Sequence, residues 1–147
     1  MATNRLVFTS PEVEAAVLEL DGYRLPTATL ASWAARGFVV PSVSWTKRRG
    51  KANVRLYSLQ DVARCRLLVQ LRQAGLGMSK CRTVLAYVER ELPDVLKPGT
   101  KAKLVVVGFT ARIATGRQTV EPLTGQLVLP LAGCVVTAAE GRRLKAA

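Results

Sequence analysis

Apolar positions recur at helical spacing through the first two thirds of the chain and give way to short β-prone runs near its end. Residues 10–18 open as a helix. Ser10 is placed to cap, Pro11 suits the first helical position, and Glu12 and Glu14 favour the positive end of the helix dipole. Asp21-Gly22 reads as a turn. A second helix is expected from near Pro26 to Arg36, with Leu30, Trp33 and Ala34 on one face and Gly37 as its left-handed stop. Two apolar runs follow, Val39 to Trp45 and Val54 to Tyr57, on either side of the polar tip KRRGKAN, which is the pattern of a hairpin.

The third helix has the clearest start signal: Ser58 caps, and Asp61 takes the reciprocal role usually given to Glu or Gln. Val62, Cys65, Val69 and Arg72 mark one stripe, widened by Leu68 and Leu71, and Gly75 ends the helix. A fourth helix, MSKCRTVLAYVEREL, places Cys81, Val84, Leu85 and Val88 at helical spacing. Pro93, Pro98 and Gly99 then punctuate the chain. Beyond them, KLVVVGFTARIAT and QLVLPLAGCVVT predict a small sheet. The expected fold class is α+β, a mainly helical domain over 1–92, a linker over 93–102 and a small β-rich region over 103–147.

Composition changes this picture in one respect. Nearly half of the residues are hydrophobic (49%), enough for a packed core, but 22 Lys and Arg stand against 10 Asp and Glu, a net charge of +12. Such an excess favours a polyanionic partner. From Arg36 to Arg90 there are twelve basic and two acidic residues, whereas residues 1–35 hold two basic and four acidic ones, so the middle of the chain carries most of the field. Histidine is absent and the three cysteines are far apart, which argues against a zinc site of about four ligands and against a disulfide framework. No cofactor is expected. No run approaches the roughly 18 apolar residues of a membrane span, and the start turns acidic where a signal peptide needs an apolar stretch, so a cytoplasmic protein is expected. No histidine, nucleophile-carboxylate arrangement or phosphate-binding glycine loop points to an enzyme. The aromatic content of 5% is too low for single-stranded nucleic acid stacked on ring platforms.

Three pieces in order, TLASWAARGFVVP, VRLYSLQDVARCRLLVQLRQAGLGM, and the helix with Lys80, Cys81, Val84 and Leu85, resemble the DNA-binding domain of MerR-type transcription regulators. Thr29, Leu30, Trp33, Gly37, Phe38, Arg55, Tyr57, Ser58, Leu71, Arg72, Gly75 and Met78 stand in register with that family's pattern. The resemblance implies a winged helix-turn-helix with the second helix in the major groove and the hairpin as its wing. Ala31 and Ser32 stand where the family usually has an arginine and a tyrosine. The segment between the first two helices is longer than usual, and the prolines after residue 92 interrupt the family's long dimerisation helix.

The expected partner is double-stranded DNA, and the expected role is a sequence-specific transcription regulator. Homodimerisation is expected because one short helix reads few base pairs. A protein partner through the C-terminal region is a further expectation. The candidate DNA-binding residues are Thr27, Ala28, Thr29, Ser32 and Arg36 of the second helix, Lys47, Arg48, Arg49 and Lys51 of the wing tip, and Arg55 and Tyr57 of the returning strand. Outward spacing on the second helix includes Ala31 as well. Short hydroxyl and methyl side chains there suit phosphates and thymine methyls. By resemblance Arg55 contacts phosphate and Tyr57 packs at the base of the wing. Two alternatives share the DNA-binding head: an antitoxin that autorepresses its operon, and a phage-type excisionase or architectural protein. Arg64, Arg66, Arg72, Lys80 and Arg82 are expected on the positive surface or on a solvated helix face.

Overall fold

The computed structural model describes residues 6–46, 54–91, 101–107, 110–114 and 126–146. In chain order they form α1 (Ser10–Asp21), α2 (Thr27–Ala35), β1 (Ser44–Thr46), β2 (Val54–Leu56), α3 (Leu59–Gln73), α4 (Met78–Glu91), β3 (Lys103–Val107), β4 (Thr110–Ala114), β5 (Gln126–Pro130), a short 3-10 turn (Leu131–Gly133) and α5 (Ala138–Ala146). Helices dominate and the strands make two small antiparallel sheets, an α+β fold. The chain divides into two compact units, Met1–Arg66 with Val136–Ala147, and Leu67–Val135.

In the first unit, α1 begins one residue earlier than its proline suggests. Thr9, not Ser10, is the cap: its hydroxyl accepts from the Glu12 amide at 3.4 Å, and the Glu12 carboxylate accepts from the Thr9 amide at 3.0 Å. This is a capping box, and it leaves Ser10 inside the helix. Helix α2 buries Leu30, Trp33 and Ala34, as its spacing predicts. It closes on Gly37 at φ 76, a left-handed conformation that a side chain would strain, and the Phe38 amide reaches back to the Trp33 carbonyl at 2.8 Å.

The hairpin strands are shorter than the apolar runs suggested. β1 begins at Ser44, because Val39 and Pro41 are buried as packing residues ahead of the strand. β1 and β2 pair antiparallel, Trp45 opposite Arg55. Past β2, Tyr57 exchanges two hydrogen bonds of 2.8 Å with Phe8, so the segment before α1 adds a third short rung to the wing. Phe8, Val13, Val17, Leu25, Leu30, Tyr57 and Val62 have no exposed surface and form the core of this unit.

The C-terminal helix is the largest departure from the sequence-based expectation. Residues 138–146 are helical, not part of a sheet, and Cys134–Thr137 is not a strand. A second capping box starts α5: the Thr137 hydroxyl accepts from the Glu140 amide at 3.1 Å, and the Glu140 carboxylate accepts from the Thr137 amide at 3.2 Å. The helix joins α1 through Lys145, whose ammonium donates to both Glu12 oxygens at 2.9 and 3.1 Å, and through an Arg143–Glu19 pair. Gly141 is buried against Leu6, Phe8 and Leu59; a Cβ there would lie 2.7 Å from Leu59 Cδ2 and 3.0 Å from Leu6 Cδ1.

The second unit holds the end of α3, all of α4 and the sheet ordered β4-β3-β5. β3 is central, with Val105 opposite Arg112 on one side and Val128 on the other. Leu68, Leu71, Cys81, Val84, Val88, Leu104, Val106 and Leu131 form its core. The Gln70 amide ties α3 to the turn after β5 by donating to the Gly133 carbonyl at 3.1 Å.

Candidate nucleic-acid interface

The helix-turn-helix is organised around what α2 hides and shows. With Leu30, Trp33 and Ala34 buried, 3.6-residue periodicity turns Thr27, Ala28, Ser32 and Ala35 outward, and all four are exposed; Thr29 and Ala31 are half-buried at the margin. Arg36 is exposed at the C-terminal end of the helix, its guanidinium 5.2 Å from the centre of the Phe38 ring. That stacking places the cation over a buried aromatic at the point where the chain leaves α2 for the wing.

The wing is held at its root by one buried carboxylate. Asp61 has no exposed surface, and its Oδ2 accepts from the Ser42 amide at 2.8 Å, the Ser42 hydroxyl at 2.7 Å and the Ser58 amide at 2.9 Å. Oδ1 accepts from Arg64 at 2.8 Å. The Ser58 hydroxyl in turn accepts from the Asp61 amide at 3.1 Å, the reciprocal cap expected from the sequence. The segment before β1, the segment after β2 and the first turn of α3 therefore share one anion, whose burial is offset by several charge-assisted hydrogen bonds. Ser42 has no sequence signal for this role, since its partner lies 19 positions away.

Arg55 is half-buried on β2 and makes no ion pair among the described residues; its Nε is enclosed with no acceptor among them. Tyr57 is fully enclosed, and burial pushes its hydroxyl up to about 12, so the phenol stays neutral. The wing-tip candidates Lys47, Arg48, Arg49 and Lys51 lie outside the described residues.

Other basic residues divide sharply. Arg66 is not on a solvated face. It is buried in a bidentate pair with Asp21 at the end of α1, Nε to Oδ2 at 2.9 Å and NH2 to Oδ1 at 3.1 Å. Arg64 serves the Asp61 anchor, and Arg72 donates to the Leu76 carbonyl just past the end of α3 at 3.0 Å. Arg82 is exposed and Lys80 half-buried on α4.

Among the described residues no group of three or more His, Cys, Asp or Glu is placed to hold a metal ion. The three thiols are buried, and burial raises those of Cys65 and Cys81 above the ordinary cysteine value. Among the described residues no helix is long and apolar enough to cross a membrane.

Residues 23–88 match the family described as MerR HTH family regulatory protein. The match is less than half of the 147-residue chain, but it runs from just before α2, through the wing and α3, into α4. No curated protein matches the chain.

Proposed function

We propose, from the premise that residues 23–88 are a MerR-type helix-turn-helix domain, that this protein is a transcription regulator which lays α2 in the major groove of duplex DNA and its wing along the flanking phosphates. The observation that carries the reading is the coincidence of the family match with the local geometry. The matched segment holds twelve basic residues and one acidic one, Asp61, and it contains an outward helix face free of carboxylates.

The roles follow from chemistry and position. Thr27, Ala28, Thr29 and Ser32 offer hydroxyls to phosphates or base edges and methyls to thymine. Arg36 extends that surface with a cation. Arg55, half-buried on β2 and without an ion pair among the described residues, turns the accessible part of its guanidinium to a phosphate oxygen that meets the wing. Tyr57 acts through support, since its ring is enclosed and its backbone pins β2 to Phe8. Lys47, Arg48, Arg49 and Lys51 supply the sequence-independent part of the affinity.

Helix α2 carries no Asn or Gln, and its outward side chains are short, so it lacks the bidentate base contacts worth about 1–3 kcal/mol each. Useful specificity then needs two half-sites, and the protein acts as a homodimer. Selection of bound sequences from random duplex DNA tests this. An enriched motif with two related half-sites about one helical turn apart is the expected result. Recovery of random sequence at every stringency would remove specific regulation.

A further inference from the structure

A cleft of about 460 Å³ in the first unit lies at the root of the wing. Its walls come from the strand approach (Ser42, Val43), the first turn of α3 (Ser58, Leu59, Gln60) and, from the far end of the chain, Arg142 of α5. Leu6 and Ala138 complete the lining. None of these lining residues is a carboxylate, and Asp61 just behind them is fully enclosed and engaged by Ser42, Ser58 and Arg64.

We propose that Arg142 is a DNA phosphate contact, through which the C-terminal helix completes the binding surface of the helix-turn-helix head. Helix α5 is held at its start, middle and end. Its first turn is locked by the Thr137–Glu140 capping box, its middle by the seating of Gly141 on Leu6, Phe8 and Leu59, and its end by the Lys145–Glu12 pair and the Arg143–Glu19 pair. Each of those charged residues has an acidic or backbone partner inside the unit. Arg142 is exposed and has no ion pair or hydrogen bond among the described residues.

A fixed helix thus presents a guanidinium, uncommitted among the described residues, over a cleft with no carboxylate among its described lining residues. The chain already carries +12, a self-repulsion that a polyanion relieves. The cleft is continuous with the wing: Val43 donates its amide to the Leu56 carbonyl of β2 at 3.3 Å, and Ser58 follows the rung formed by Tyr57. In the proposed binding mode a duplex gripped by the wing passes the cleft at its root, and the planar guanidinium takes one of its phosphodiesters bidentately. The Ser58 and Ser42 hydroxyls border the same space.

This inference rests on the DNA-binding reading, and the test separates the two. Binding of the full chain and of Arg142→Gln to one random-sequence duplex is measured by fluorescence anisotropy across a range of salt. Lys101→Gln serves as a control that removes the same charge from an exposed position in the second unit. Arg142→Gln is expected to flatten the dependence of log affinity on log salt by about 0.9 and to weaken binding roughly five- to tenfold near 0.1 M salt, whatever the sequence. Its melting temperature should be unchanged, and Arg142→Lys should recover most of the slope. A slope for Arg142→Gln equal to that of the unaltered chain overturns the proposal while leaving the head's DNA binding intact. An unaltered chain that ignores duplex DNA overturns both.

Discussion

Asp61 joins Ser42, Ser58 and Arg64 with four hydrogen bonds of 2.7–2.9 Å and no exposure to water. Removing the carboxylate strands those donors and takes the Asp61 ion pair from Arg64. Asp61→Ala is therefore expected to lower folding stability by about 2–4 kcal/mol, read in chemical denaturation, and to loosen the wing. Glu12 gives a second test at this scale. The Thr9 amide first, and then Lys145, hold its carboxyl below the ordinary glutamate value of 4.5. A depressed folded-state value means that Glu12 contributes stability that is fully present above pH 4.5 and lost as pH falls through the lowered value. Melting temperatures of the natural chain and of Glu12→Gln should differ near neutrality and converge well below pH 4.5; a gap that persists in acid would refute the assignment. The cysteines form a third case. All three are buried and the Cys65 and Cys81 thiols are held protonated, so an aromatic disulfide reagent should label none of the three in the native protein and all of them after denaturation.

Among the elements, the wing separates electrostatic grip from fold. Neutralising Lys47, Arg48, Arg49 and Lys51 to Gln is expected to weaken binding to every duplex and to flatten the salt dependence by up to about four units, with the circular dichroism spectrum unchanged. An unaltered slope would exclude the wing from the interface. The elements legible in the sequence were those whose signals are local. Gly37 ended α2 and the Ser58–Asp61 pair started α3, because capping chemistry acts over three or four residues. Periodicity gave Thr27, Ala28 and Ser32 of the exposed face of α2, whereas Thr29 and Ala31, also expected outward, are half-buried and Ala35, not expected there, is exposed. Long-range pairing left no such trace: Arg66 looked like a surface cation until Asp21, 45 positions away, met it, and nothing local marks Ser42 as an Asp61 partner. The first helix start was misplaced by one residue because Ser10 and Thr9 are chemically equivalent caps, and only the reach of Glu12 decides between them. Helix α5 was missed because its nine residues include an interior glycine and no wide apolar stripe. Thr137-x-x-Glu140 was its one local signal, outweighed by the β-branched run before it. Gly141, which reads as a helix breaker, is what lets the helix approach Leu59. Gly141→Leu should accordingly lower the melting temperature, whereas Gly141→Ala combines a tight approach with a helix-propensity gain of about 1 kcal/mol and should change it little.

For the whole molecule, α5 belongs to the same compact unit as α1. A chain cut after Val136 keeps the entire segment that matches the MerR HTH family and the second unit but loses α5, with its seating on Leu6, Phe8 and Leu59 and its pairs to Glu12 and Glu19. Such a truncation is expected to melt at least about 5 °C below the full chain; equal melting temperatures would show that α5 adds nothing to the head. The net charge of +12, concentrated between Arg36 and Arg90, puts the decisive question at this scale. The most direct measurement is the affinity of the 147-residue chain for duplex DNA, titrated with salt. The account predicts tight association at low ionic strength that falls steeply and linearly in log–log form, with a slope reporting several neutralised phosphates. Absence of duplex binding at the lowest salt, or an affinity indifferent to salt, would contradict it.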